Sequence, residues 1–286
     1  MKFINYKINN EILLGIKTSR GIVDVKKLAN NNTNIPTTIE ELIKSGENKL
    51  KLLSNLLEIS TPTIEEENIE YAPCVLSPEK ILCVGGNYKE HGKECKLELP
   101  IYPLIFSKFN NSLAANKQII QLPKNAEKFD YEAELVIIIG KEAFNVAKDE
   151  ALSYVFGYTI GNDLSARDLQ LRTSQWLLGK TCNNFAPIGP YLVTADEIDA
   201  NNLEIRCEVN EKVCQLGNTK NMIFDCATIV SYISQFMTLK PGDLIFTGTP
   251  SGVIAGRPKD KQNWLKSGDR VVISIENLGT LINILN

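Results

Sequence analysis

Two glutamates separated by one residue open an apolar run near the middle of the chain, where Asp130-Tyr131-Glu132-Ala133-Glu134 leads into Leu135-Val136-Ile137-Ile138-Ile139-Gly140. Residues two apart in a strand share a face, so Glu132 and Glu134 project to the same side at the strand's entrance. The unbroken apolar continuation predicts a strand buried on both faces. Like carboxylates held together repel unless a proton or a cation lies between them. A third carboxylate, Asp163, follows the apolar stretch Val155 to Gly161, and Arg167 and Asp168 come a turn later. Three carboxylates at strand ends make a hard-oxygen site suited to Mg²⁺, Mn²⁺ or Ca²⁺. Taken singly, each piece also has an ordinary reading: solvated surface glutamates, a capping aspartate at 163 and a surface ion pair at 167–168.

The only histidine is His91, which excludes by counting any zinc site built on two or three histidines. Glu94 lies three residues on, a neighbour on the same face if the segment is helical, and both follow the flexible Gly85-Gly86-Asn87-Tyr88 turn. A carboxylate beside an imidazole fixes its tautomer and raises its basicity, as a general base acting on water or on a C–H proton requires. The bland alternative is an exposed histidine with no role. Thr247-Gly248-Thr249-Pro250-Ser251-Gly252 offers backbone amides and hydroxyls that could hold a ligand carboxylate. Lys180 is a surface lysine by default and an electrostatic stabiliser if buried near the carboxylates.

The elements that must position these groups are mostly strands. Segments 133–139, 153–160, 188–193, 203–209, 243–247 and 270–276 read as strands rich in Val, Ile, Leu and Tyr, and 81–84 as a short strand stopped by Gly85-Gly86. Tyr88 to Lys96 reads as a short helix or structured loop, and 224–238 as a long helix ended by Lys240-Pro241-Gly242. Short alternating stretches over residues 2–28 predict a small sheet, and capping-box patterns at Thr37 and Thr38 predict two short helices after it. The acidic, proline-bearing stretch Thr61 to Pro78 reads as a linker. We therefore expect a small N-terminal accessory domain over 1–75 and a main domain over 76–286. Strands outnumber helices without regular alternation, so the expected class is α+β with a mixed sheet or roll.

Composition removes several classes of function. With 286 residues, 43% hydrophobic and 23% charged, the chain has enough apolar material for a large core without disulfides. The balance of 31 basic against 34 acidic residues, with no basic block, argues against a nucleic-acid partner. No run approaches the ~20 apolar residues of a membrane helix, and the start Met1-Lys2-Phe3-Ile4-Asn5 lacks a signal-peptide apolar region, so a cytoplasmic location is expected. Seven cysteines at 74, 83, 95, 182, 207, 214 and 226, without a CxxC pair, read as reduced thiols.

Taken together, the motifs resemble the fumarylacetoacetate hydrolase superfamily over about residues 78–285. They occur in family order: Cys83-Val84-Gly85-Gly86-Asn87-Tyr88 with His91 and Glu94, Phe106-Ser107-Lys108, Asp130-Tyr131-Glu132-Ala133-Glu134-Leu135, and Gly157-Tyr158-Thr159 with Asn162-Asp163-Leu164-Ser165-Ala166-Arg167-Asp168. Gln170, Trp176, Gly179-Lys180, Pro187-Ile188-Gly189-Pro190, Pro241-Gly242-Asp243 and Thr247-Gly248-Thr249-Pro250 complete the set. The resemblance implies a mixed β-roll catalytic domain, a homodimer, and Mg²⁺ or Mn²⁺ (Ca²⁺ in crystals) held by Glu132, Glu134 and Asp163. It implies catalytic roles for His91, Glu94 and Lys180. It also implies substrate contacts from Asn87, Tyr88, Lys108, Arg167, Gln170, Gly248 and Thr249. Gly86 and the Asn110 to Ala115 stretch depart from the common pattern and bear on pocket shape. The implied substrate is a small 2-oxo acid of the acylpyruvate kind, cleaved at a C–C bond by water activated at the His91–Glu94 pair. Alternatives are 2-hydroxyhepta-2,4-diene-1,7-dioate isomerisation or decarboxylation, oxaloacetate tautomerisation or decarboxylation, sugar-acid dehydration, and ligand binding without catalysis.

Overall fold

The structure, a computed structural model, describes residues 1–30, 32–58, 60–62, 64–95 and 98–286. Its organising element is the strand Ala133–Ile139, buried along its whole length. Alternation sorts its side chains into two cores. Leu135, Ile137 and Ile139 belong to a core shared with Ile205, Cys207, Ile273 and Leu281 and with Ile229 and Val230 of the helix Cys226–Ser234. Val136 and Ile138 belong to the other, with Leu192, Leu244 and Phe246 and with Phe3, Leu14, Leu42 and Leu53. Burial on both faces is what the unbroken apolar run predicted.

Around this strand the main sheet is mixed. Val155–Asn162 and Leu244–Phe246 flank it antiparallel. Leu244–Phe246 then pairs parallel with Ile81–Gly85, which pairs antiparallel with Leu104–Lys108. On the far side Val155–Asn162 pairs with Ala186–Thr194, to which Lys2–Ile8, Glu11–Thr18 and Gly21–Asp24 add in turn. The strands of the expected accessory segment, 1–75, thus extend the same sheet. A second sheet runs in the order Lys212–Asn218, Glu204–Val209, Arg270–Ile275, Gly279–Leu285 and Ile119–Ile120. The class is α+β with mixed sheets. Among the described residues no helix is long and apolar enough to cross a membrane.

Differences from the sequence reading have local causes. The helix expected over 224–238 is shorter, Cys226–Ser234, because Asp225 caps it by accepting from the Thr228 amide at 2.7 Å. Phe236 prolongs the apolar pattern without being helical core: it is 67% exposed and packs edge-on against Tyr232 at 5.2 Å. Of the two helices expected after the first strands, Ile39–Ser45 begins with the predicted capping box at Thr38 and Glu41, while Glu47–Glu58 is longer than expected. The Tyr88 to Lys96 segment contains the helix Lys89–Glu94, with Lys96 outside the described residues. Strand Gly279–Leu285 escaped prediction because Asn283 points inward among its apolar residues, where it donates to the carbonyls of Ala115 at 3.0 Å and Gln118 at 2.9 Å.

The acidic stretch read as a linker is pinned at Glu66. Its carboxylate accepts from Tyr71 at 2.8 Å and from Tyr191 of the central sheet, and pairs with Lys17 at 2.5 Å. Burial pushes the Glu66 pKa up, but the bonds from Lys17, Tyr191 and Tyr71 outweigh it and hold the pKa below 4.5. A folded-state pKa below the unfolded one contributes stability above the unfolded pKa, lost as pH falls through the folded value. Glu66→Gln is predicted to cost roughly 1–2 kcal/mol at neutral pH. The deficit, measured by thermal unfolding across pH, narrows below pH 4.5. A deficit independent of pH would contradict this assignment.

Candidate active site

Strand register brings the carboxylates together. Ala133 pairs with Asn162 and Glu134 with Gly161. Just beyond, the Asp163 amide donates to the Glu132 carbonyl at 3.0 Å, and the Asn162 side chain accepts from the Glu132 amide at 3.1 Å. Glu132 and Asp163 therefore face each other across the two strand ends. Only glycine fits opposite Glu134, since a Cβ at Gly161 would lie 2.5 Å from both Val136 and Phe246. All three carboxylates are buried, with one oxygen from each within 4.8 Å of the others.

Three buried cations answer this charge. Lys180, at the end of the short helix Leu177–Lys180, donates to Asp163 Oδ2 at 2.6 Å and to Glu132 Oε2. Lys108, at the end of its strand, donates to Asp163 Oδ1 at 2.5 Å and to the Leu164 carbonyl at 3.2 Å. Arg167, opening the helix Arg167–Gln170, reaches Glu132 Oε1 at 2.8 Å, Asp130 Oδ2 at 3.0 Å and Gln170 Oε1 at 2.9 Å. Phe106 and Trp176, packed edge-on at 5.3 Å, wall this cluster, with Lys180 Nζ 5.0 Å from the Phe106 ring centre.

Glu134 is treated differently. Its Oε2 accepts from the Gly248 amide at 2.7 Å, and no lysine or arginine among the described residues pairs with it. Burial, with Asp163 and Glu132 beside it, pushes its pKa well above the carboxylate range. At Glu132 burial acts in the same direction, but Arg167, Lys180 and His91 outweigh it and hold the carboxyl well below that range. One member of a hard-oxygen triad thus lacks a counter-charge. That donor set fits Mg²⁺ or Mn²⁺, and Ca²⁺ by the same chemistry.

His91 is buried on the helix Lys89–Glu94, its Nδ1 3.7 Å from Glu94 Oε1. Glu94 is anchored through Oε2, which accepts from the Gly252 amide at 2.8 Å. Burial alone would lower the His91 pKa, but Cys95, Glu94 and the nearby Glu132 outweigh it and raise the pKa to about 10. His91 and the three carboxylates line a cavity of about 230 Å³.

Among the expected substrate contacts, Arg167, Gln170 and Thr249 line this cavity, while Asn87, Tyr88, Lys108 and Gly248 do not. Asn87 braces neighbouring backbone, donating to the carbonyls of Phe224 at 3.0 Å and Thr247 at 2.7 Å and accepting from the Phe224 amide at 2.8 Å. Tyr88 is buried with its hydroxyl unpartnered among the described residues, and burial pushes its pKa up. Two supports were missed. Asp130 accepts from the amides of Ile254 at 2.9 Å and Ala255 at 3.0 Å as well as from Arg167, holding the 249–255 loop over the site. Its spacing, two residues before Glu132, was the available signal. Gln215 donates to Thr249 Oγ1 and the Pro250 carbonyl, both at 2.8 Å, and nothing in its sequence context marks it.

Comparison with known proteins gives the family. A family model described as fumarylacetoacetate (FAA) hydrolase C-terminal matches residues 80–286. The chain is 44% identical to the fumarylacetoacetate hydrolase domain-containing protein 2 homolog of Dictyostelium discoideum, over 94% of this chain and 91% of that protein. It is 39% identical to the mitochondrial oxaloacetate tautomerase FAHD2A of Homo sapiens, over 94% of this chain and 86% of that protein. The fold matches the crystal structure of 2-hydroxyhepta-2,4-diene-1,7-dioate isomerase from Mycobacterium marinum with a TM-score of 0.75 and 32% identity, covering 100% of this chain and 98% of that one.

Removing Arg167 leaves Asp130 and Glu132 buried without their shared cation. Arg167→Met is predicted to destabilise the protein by ~3–5 kcal/mol, measured by urea unfolding. A loss below ~1 kcal/mol, the range of an exposed pair, would contradict the pairing.

Proposed function

The chain belongs to the fumarylacetoacetate hydrolase family, and from that premise we propose that this enzyme is a divalent-metal-dependent tautomerase of a small 2-oxo acid of the oxaloacetate kind. The observation that carries the reading is one buried imidazole lining the same cavity as the carboxylate cluster. Keto–enol exchange moves one proton between carbon and oxygen, a transfer that a single acid–base group can carry. The relative named as an oxaloacetate tautomerase supports the same choice.

In this reading His91, freed of its extra proton once a divalent cation offsets the neighbouring Glu132, takes the proton from C3 of the keto form and delivers it to the C2 oxygen as the enol forms, and the reverse transfer returns it to C3. Glu94, held by the Gly252 amide with its free oxygen 3.7 Å from the ring, is the carboxylate that would orient the imidazole on closing to hydrogen-bond distance. Glu132, Glu134 and Asp163 are the residues that would hold Mg²⁺ or Mn²⁺, which supplies Lewis-acid stabilisation of charge on the substrate oxygen. Lys108, Lys180 and Arg167 pair with Glu132 and Asp163 and fix their positions, so Lys180 acts on the carboxylates first. Gln170 and Thr249 line the cavity, and the Gln170 amide group is the donor for the remaining carboxylate of the acid, the Thr249 hydroxyl being donated to the Ala133 carbonyl.

A second reading, C–C hydrolysis of an acylpyruvate, is favoured by one observation, the 3.7 Å approach of Glu94 to His91, the pairing that water activation uses. The homodimer belongs to the same proposal. Exposed Tyr102, stacked on Tyr232 at 6.3 Å, and Phe236 beside it offer an apolar face for the second copy.

With Mg²⁺ present, the protein is predicted to accelerate loss of the enol ultraviolet absorbance of oxaloacetate without forming pyruvate, and chelator abolishes the effect. His91→Ala lowers turnover by ~10²–10⁴-fold. Stoichiometric pyruvate from acetylpyruvate, with no tautomerisation, would replace this reading by hydrolysis. Unchanged turnover in His91→Ala would remove the imidazole from either scheme.

A further inference from the structure

Next to the carboxylate cluster stands a second set of metal-ligating side chains of different chemistry. His91, Glu94 and Cys95 each offer one atom within 4.8 Å of the others. They occupy positions i, i+3 and i+4 at the end of the helix Lys89–Glu94, which places them on one face. His91 Nδ1 lies 3.7 Å from Glu94 Oε1 and 3.8 Å from Cys95 Sγ. The first separation is too long for a hydrogen bond. Glu94 Oε1 is buried and has no hydrogen-bond partner among the described residues. A buried carboxylate oxygen without a partner is costly, and a cation beside it removes that cost.

Tetrahedral Zn²⁺ has bonds of ~2.0–2.3 Å to nitrogen, oxygen and sulfur, which places neighbouring ligand atoms about 3.3–3.8 Å apart. For the pairs present these bonds give about 3.3–3.5 Å for N···O and about 3.5–3.6 Å for N···S, and the 3.7 and 3.8 Å separations around His91 Nδ1 exceed them by only ~0.2–0.4 Å. Glu94 is held in place from behind. Gly252 bonds its other oxygen, and Gly256 packs so closely that a Cβ there would lie 2.1 Å from Glu94 Cγ. Imidazole, thiolate and carboxylate together form a borderline-soft set, whereas Glu132, Glu134 and Asp163 offer only hard oxygens. Donor chemistry therefore sorts Zn²⁺ from Mg²⁺ between adjacent sites.

We propose that His91, Glu94 and Cys95 form a three-ligand Zn²⁺ site, distinct from the carboxylate site and completed by water, and that its occupation switches the enzyme off by capturing the proton-carrying imidazole. Binding replaces the Cys95 S–H bond by an S–Zn bond and the His91 Nδ1–H bond by an N–Zn bond, and releases both protons to solvent, with no change of oxidation state. The inhibitory half rests on the role given to His91 above; the site itself does not.

The test uses the full chain with Mg²⁺ saturating and Co²⁺ as the spectroscopic probe for Zn²⁺. One Co²⁺ per chain is expected to produce a thiolate-to-metal charge-transfer band in the near ultraviolet, bleached by Zn²⁺. The band is lost in Cys95→Ser and kept in the control Cys214→Ser. Indicator competition is expected to give Zn²⁺ affinity at least ~10-fold weaker in Cys95→Ser. No band, a band that survives Cys95→Ser, or unchanged Zn²⁺ affinity would overturn the site. Zn²⁺ binding with these signatures but undiminished turnover would overturn the inhibition, and with it the role of His91, while the site stands.

Discussion

Glu132 and Asp163 confront each other at the ends of two paired strands, buried from bulk solvent, and the rest of the site follows from how that charge is met. Moving one carboxylate into such an environment costs several kcal/mol even after relaxation, so each must be paired and hydrogen-bonded. Lys180 bridges the two, Lys108 takes the free oxygen of Asp163, and Arg167 takes that of Glu132 while tying Asp130 to the same network. Four carboxylates, counting Asp130 and Glu134, meet three cations, which leaves an excess of one negative charge. The unmatched carboxyl is Glu134, which burial and its two acidic neighbours push toward the protonated form. The imbalance also reaches His91, whose raised pKa owes part of its shift to Glu132. A divalent cation at the triad and a proton on the imidazole are two answers to the same imbalance.

The fold supplies what this imbalance needs, a rigid place to hold it. The strand Ala133–Ile139 has core on both faces, so its end cannot shift to relieve the repulsion. The two short helices carrying Arg167 and Lys180 follow directly on the partner strand and bring their cations back over its end. On the opposite side the 249–255 loop is fastened from three directions, by Asp130, by Gln215 and by Glu94. Through Glu94 that loop is also connected to the imidazole. The scaffold that sets the metal triad thus sets the position of the proton carrier.

Much of this was legible in the sequence because it depends on spacing within single elements. Period-two alternation placed Glu132 and Glu134, the apolar run announced a doubly buried strand, and the i, i+3 relation put Glu94 beside His91. Ordered motifs then joined these pieces into a family. What the sequence concealed depends on contacts between distant elements. Lys108 and Lys180 reach the same aspartate from elements that only the folded chain brings together. Asn87, expected to touch substrate, spends its amide on Phe224 and Thr247 across the fold. Gln215 and Asn283 are polar residues whose inward orientation no periodicity marks. The helix end near Phe236 was overextended because an aromatic cluster on the surface mimics a buried helical face.

The central claim is that Glu134, alone among the four buried acids of the site in having no lysine or arginine partner among the described residues, is the group a divalent metal completes. Calorimetric titration of Mg²⁺ into the wild-type protein and into Glu134→Gln, at neutral pH, tests it most directly. The account predicts one Mg²⁺ per chain for wild type and affinity weakened by at least ~10-fold in the variant. Equal affinity in the two proteins would contradict it.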